Sequence, residues 1–372
     1  MDTPSGAWSE TYYTKLCSFL SSVNYTDWTF CIWDTANGFE TWIDNATRLN
    51  KLKEYGVLIP RLSYMQLKDP QDRISYVDAV FTNWSSKVGY YPKGIFDFIP
   101  DTFTANYVYS EYDSVFYQGY CFDQYRIDYM SMRGAWQLPY YADMGNILVP
   151  RPSGKGIIVL PHNIWDWYSS FTVDHHLTSH IPTLLKYMYD GKSGIAEKYW
   201  LSLIEQNAEA SSPFSYATIQ LEWVWLCQYW GYEDEAENWI KDLLNEDYTF
   251  LTFEDVAQWF RLHYAENPSY RVEFQSPYEG DKITWFWNTQ RRYAQVGTDI
   301  LSYVDYTTQE VDKYVNSKET INWGLTGTPC APDNQIDISL TFNIDNLGGG
   351  YLRSPVNSPS FMTGQFVGVM GI

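Results

Sequence analysis

Between Trp28 and Tyr64 the spacing of apolar positions changes twice. "WTFCIW" (28–33) is a continuous β-rich apolar run that stops at Asp34, and "TANGF" breaks it with Asn and Gly. Ile43, Ala46, Leu49 and Leu52 then recur near helical spacing as far as Gly56, a helix-stop residue, and "VLIPRLSY" (57–64) reads as the next strand. The alternation continues downstream. "DRISYVDAVFTNWSSK" (72–87) predicts a helix, "KGIIVLPH" (155–162) and "YATIQLEWVW" (216–225) predict strands, and "GYEDEAENWIKDLL" (231–244) predicts an amphipathic acidic helix. "YTFLTFEDVAQWFRLHY" (248–264) predicts a short strand, then a helix with Thr252 as N-cap and Asp255 backing it. Strand and helix alternating at this length indicate βαβ units and a parallel sheet.

Near residue 270 the pattern changes. "KITWFWN", "DILSYVDY" and "IDISLTFNID" are strands with no helix between them. In the last, Ile336, Ile338, Leu340, Phe342 and Ile344 alternate with polar residues, the period of a half-buried antiparallel strand, and Gly348 to Gly350 close it. The chain therefore divides into an N-terminal extension (1–26), a (β/α) domain (27–268) and a smaller all-β, sandwich-like C-terminal domain (269–372).

Composition narrows the partners. With 25 Lys+Arg against 45 Asp+Glu the formal charge is −20, and such a surface repels phosphate backbones and anionic headgroups, which argues against nucleic acid. No apolar run reaches the length of a membrane span, so membrane insertion is not expected. The first 20 residues have neither the basic start nor the apolar stretch of a signal peptide, whereas sequons at Asn24, Asn45 and Asn83 fit a secreted or cell-surface setting. Five scattered cysteines (Cys17, Cys31, Cys121, Cys227, Cys330) carry no zinc-ligand spacing. Aromatic residues reach 19%, more than a core requires; Trp and Tyr suit stacking on sugar rings as well as burial.

In α/β folds, reactive side chains collect where parallel strands end. Asp34 and His162 stand at that position, Asp97 and Asp101 follow the short apolar stretch in "GIFDFIPDTF", and Glu222 lies within or at the end of the strand "IQLEWVW". Carboxylates and an imidazole on one edge supply the proton donor and the base or nucleophile that hydrolysis of a sugar derivative needs. Trp33, Tyr91, Trp165, Asp166 and Trp223 are candidate cleft residues. So are Asp123, Arg126 and Trp136 of "CFDQYRIDYMSMRGAW", where Asp–Arg pairs can line a wall or form a structural network. In "DHHLTSH", His176 and His180 are four apart and on a helix would share one face toward a divalent metal. No Gly-rich phosphate loop is present, so a nucleotide cofactor is not expected.

These motifs, in order, resemble the polysaccharide deacetylase family of the glycoside hydrolase/deacetylase barrel superfamily. "FCIWDTANGFETWIDNATRLNKLKEYGVLIPRLSY" is similar to that family's opening strand, Asp-containing loop and helix end. "GYYPKG" resembles its Pro-x-Gly motif, "GIIVLPHN" its late strand ending in the catalytic histidine, and "YTFLTFEDVAQWF" its closing strand and helix. The resemblance covers roughly residues 27 to 265. It implies an irregular or seven-stranded (β/α) barrel, a glycan substrate, His162 as proton donor, Asp34 as base or ligand, and one divalent metal such as zinc. The chain departs from the family at three points: Trp33 stands where a second aspartate is usual, Tyr91 replaces the usual arginine, and residues 1–161 contain no histidine for the metal pair. The expected activity is hydrolysis of a glycan, by deacetylation or by glycosidic cleavage. The alternative is a non-catalytic carbohydrate-binding or cell-surface protein on the same barrel.

Overall fold

The structure is a computed structural model. It describes residues 6–33, 46–62, 68–96, 101–119, 138–161, 191–208, 213–221, 231–278, 280–308, 342–343 and 366–371, with isolated positions (164, 166, 168, 181, 184, 185, 189, 223 and 226) between them.

Helix α1 (Gly6–Val23) precedes strand β1 (Trp28–Trp33). Then come α2 (Ala46–Leu52), β2 (Gly56–Arg61), α3 (Pro70–Val88), β3 (Gly94–Phe96), α4 (Thr102–Glu111) and β4 (Phe116–Gly119). β1, α2, β2 and α3 are elements that the spacing predicts, whereas β3, α4 and β4 are not among them. Pro70 opens α3 with its φ already helical. Gly89 closes it in the left-handed region (φ 90°), its N–H donating to Ser85 O at 2.9 Å. The short β5 (Tyr140–Tyr141) and β6 (Ile158–Pro161) follow, then α5 (Ser193–Ala208), β7 (Ala217–Leu221), α6 (Glu233–Leu244), β8 (Thr249–Phe250) and α7 (Phe253–His263). The capping box expected at α7 is present. Thr252 Oγ1 accepts from Asp255 N at 3.1 Å, and the Asp255 carboxylate accepts from Thr252 N at 3.3 Å.

The last described strand, β14 (Phe366–Gly371), lies between β1 and β7, parallel to both, and also pairs with β8. The larger sheet thus runs β5-β6-β4-β3-β2-β1-β14-β7, parallel except where β5 meets β6. Among the described residues no pairing joins β7 to β6, so this is a parallel sheet flanked by helices rather than a demonstrated closed barrel. The smaller sheet is antiparallel, with order β13-β12-β11-β10-β9. It is built from β9 (Tyr270–Gln275), β10 (Lys282–Trp287), β11 (Arg291–Val296), β12 (Asp299–Asp305) and β13 (Phe342–Asn343). Among the described residues of 269–372 this is one antiparallel sheet, besides β14 in the parallel one. Of the alternating run 336–345, only β13 falls among the described residues.

Both faces of the parallel sheet are buried, which is why its strands read as unbroken apolar runs. Along β1 and β2 successive side chains join different cores. Phe30, Ile32 and Leu58 pack with Tyr12, Leu16, Phe19 and Leu20 of α1 and with Leu49 and Leu52 of α2. Cys31 and Ile59 join the other cluster with Phe96, Phe116 and the α7 residues Phe253, Val256 and Phe260. Helix α1 is therefore a layer of the fold, not an extension.

Candidate active site at the strand ends

The parallel strands end together on one edge, and register defines the layer of side chains there. Trp33 pairs with Arg61, Arg61 with Phe96, Phe96 with Gln118 and Gln118 with Leu160. Arg61, Phe96, Gln118 and Leu160 share a face, because side chains alternate and the Phe116 ring, two residues before Gln118, occupies the space a Cβ on Gly94 would need. Arg61 is buried, its guanidinium carbon 5.3 Å from the centroid of the Phe96 ring. Burial pushes the nearby Cys31 thiol well above its ordinary pKa, and the Arg61 charge offsets this only in part. Cys31 is thus an inert core thiol. Gln118 is also buried, and its Oε1 has no hydrogen-bond partner among the described residues.

Asp34, Asp97, His162 and Glu222 lie outside the described residues, as do Asp123, Arg126, Trp136, Trp165, His176 and His180. In chain order, Asp34 follows Trp33, Asp97 follows Phe96, His162 follows Pro161 and Glu222 follows Leu221. These are the last residues of β1, β3, β6 and β7. Trp33 itself is described only as the closing residue of β1.

Four predicted site residues are described in full, and three of them have other tasks. Asp101 is fully buried and caps α4: Oδ1 accepts from Phe103 N (3.2 Å) and Oδ2 from Thr104 N (3.0 Å). It also receives the buried guanidinium of Arg73 at 3.0 Å. A carboxylate so engaged has little capacity left for proton transfer. Tyr91 precedes β3 and so sits at the opposite, N-terminal edge of the sheet, half exposed, its ring 5.2 Å from that of Tyr112. Trp223 is core. Its indole N–H donates to Tyr12 O at 3.1 Å, and its ring lies 5.0 Å from that of Phe19.

Asp166, five residues beyond the end of β6, is 1% exposed. Its Oδ2 accepts from Ser276 Oγ at 2.6 Å and, more distantly, from Tyr199 OH at 3.4 Å. Ser276 begins the β9–β10 turn, so the antiparallel sheet touches the segment that follows β6. Burial, reinforced by this carboxylate, raises Tyr199 well above its ordinary pKa; Tyr189, beside the same group, is pushed up to about 12, mainly by burial. Both phenols stay protonated donors at neutral pH.

Sequence reasoning missed Arg61 and Gln118. A lone arginine inside "VLIPRLSY" was a visible signal, since burying a cation in a strand is costly without a purpose. Gln118 carried none, because its place in the layer depends on register with β3 and β6.

No family model matches the chain, and no curated protein matches it significantly. Its fold is similar to that of a solved structure from Parabacteroides distasonis, described provisionally as a glycoside hydrolase/deacetylase. The TM-score is 0.66 at 14% identity, over 82% of this chain and 80% of that one. At that identity the likeness is one of fold.

Proposed function

We propose that the protein is a carbohydrate-active hydrolase whose cleft lies at the C-terminal edge of the parallel strands. The observation that carries this reading is the convergence of four strand ends, each followed in sequence by an acid–base residue, in a fold like that of the Parabacteroides structure. In this reading His162 protonates the leaving group and Asp34 serves as base, with Asp97 and Glu222 as the further carboxylates a glycosidic cleavage would require. Deacetylation and glycosidic cleavage differ in the bond broken, and the same edge serves both.

A divalent metal, which the family resemblance implies, would polarise a carbonyl and activate water. The described layer of Arg61, Phe96, Gln118 and Leu160 does not fit one by itself, since it offers a cation and a single neutral amide oxygen. Among the described residues no three His, Cys, Asp or Glu side chains are grouped to hold a metal. His263, the one described histidine, stacks on Trp259 with ring centroids 4.5 Å apart, at an exposed position on α7. A metal site would rest on Asp34, His162, His176 and His180.

The test compares wild type with Asp34→Asn and His162→Ala for release of acetate and of reducing ends from acetylated xylan and chito-oligosaccharides. Hydrolysis that falls about 10²–10⁴-fold in either variant is the expected result. Binding without turnover would convert the reading to a carbohydrate-binding protein, which the histidine-free stretch 1–161 favours over a metal-dependent deacetylase. Neither binding nor turnover would overturn it.

A further inference from the structure

Gln118 occupies the middle of the strand-end layer, flanked in register by Phe96 on β3 and Leu160 on β6. It is 1% exposed, yet Oε1 has no hydrogen-bond partner among the described residues. Its flanking residues are apolar, and among the described residues none pairs with its amide oxygen. A leucine-sized apolar side chain would fill the position without leaving a polar atom unpaired. Buried polar groups are nearly always hydrogen-bonded, and each exception calls for a reason. This exception sits on the C-terminal edge of a parallel sheet, the edge at which α/β folds bind ligands.

We propose that Gln118 is a substrate-binding residue that hydrogen-bonds a hydroxyl group of a neutral glycan bound over the strand ends. This deepens the carbohydrate reading above and rests on it. Three observations set the ligand chemistry. The side chain is neutral, so it confers no preference for an ionised group. The chain carries a formal charge of −20, which repels polyanions and leaves neutral sugars as the favoured class. A sugar hydroxyl both donates and accepts, so it satisfies the amide whichever way its oxygen and nitrogen are oriented.

The position implies a trade of stability for binding, and that separates a substrate-binding role from a structural one. The experiment measures thermal unfolding of wild type and Gln118→Leu without ligand. It then measures the affinity of each for chitotetraose, cellotetraose and xylotetraose by calorimetry. Gln118→Leu is expected to unfold at or about 1–2 °C above the wild-type temperature. Its affinity for whichever oligosaccharide binds wild type is expected to fall about tenfold. If Gln118→Leu unfolds several degrees below wild type, the amide is holding the fold together and the proposal is overturned, whatever binding shows. Equal affinities in the two proteins overturn the role of Gln118 while leaving the carbohydrate reading intact. If wild type binds none of the three sugars, both the neutral-glycan assignment and the reading beneath it fall.

Discussion

Arg73 and Asp101 are both sealed from solvent, 28 residues apart in sequence and joined at 3.0 Å. Arg73 comes from the first turns of α3, where its Nε also donates to Lys68 O at 2.9 Å. Asp101 ties that guanidinium to the open N–H groups of α4. Together they lock the entries of two neighbouring helices. Desolvating two charges costs much of what their attraction returns, so the pair's net worth is modest, whereas removing one partner strands the other. Asp101→Ala is therefore expected to lower stability by about 3–5 kcal/mol, read as a shift of the urea midpoint at unchanged slope. The double variant Arg73→Met/Asp101→Asn should recover part of that loss, because Asn still caps α4 and no cation remains buried. An unchanged midpoint for Asp101→Ala would show that the pair and cap add little to stability.

Helix α1 shows the same logic at the scale of an element. Tyr12, Leu16, Phe19 and Leu20 recur on one face and are all nearly inaccessible, against Trp28 of β1 and Trp223 beyond β7. Leu20→Ala is expected to cost about 2–5 kcal/mol in the same denaturation experiment, the range for a leucine cut from a filled core. A change below about 0.5 kcal/mol, as at a surface site, would mean that α1 merely rests on the sheet. That helical spacing goes unused in the reading of residues 1–26 as an extension. Elements with a strong local signature were the easiest to see. The apolar run of β1 is buried on both faces, and the cap of α7 is local chemistry between Thr252 and Asp255. Strands β3 and β4, of three and four residues, are too short to show a period, and α4 mixes Thr, Asn and Tyr around its circumference without a clear apolar stripe. Asp101 reads as a candidate acid–base carboxylate because its ion pair depends on Arg73, a partner distant in sequence. For the candidate site, Asp34, Asp97, His162 and Glu222 can be named from the sequence as the residues that follow β1, β3, β6 and β7, and they lie outside the described residues. The layer of Arg61 and Gln118 was not legible, since only strand register brings them onto one edge.

For the whole molecule, the sequence suggested a boundary near residue 270, and the contacts across it bear on whether the two parts stand alone. Tyr270 OH accepts from Leu138 N at 3.1 Å, and its ring stacks on Trp287 at 4.9 Å, 5° from parallel. Trp287 in turn lies 6.2 Å from the ring of Tyr140, in β5. Val272, Phe274, Ile283 and Trp285 belong to the same apolar cluster as Phe96, Phe116 and Leu160 of the parallel sheet. Ser276 reaches across to Asp166. Strand β14 also returns from the far end of the chain to lie between β1 and β7. A chain ending at residue 268 would expose Tyr140 and the cluster face beneath β9 and β10, and would leave β1 and β7 without their common neighbour. Unpaired strand edges and large apolar patches both favour aggregation. The truncated chain is therefore expected to lack a cooperative thermal transition and to show a collapsed near-ultraviolet circular dichroism spectrum, while the full chain shows both signals. A chain ending at residue 365 separates the two contributions, because it keeps β9 to β13 and loses only β14. A cooperative transition for residues 1–268 at the full-length temperature would show instead that the antiparallel sheet is an independent unit, and that the shared cluster adds little to the stability of either part.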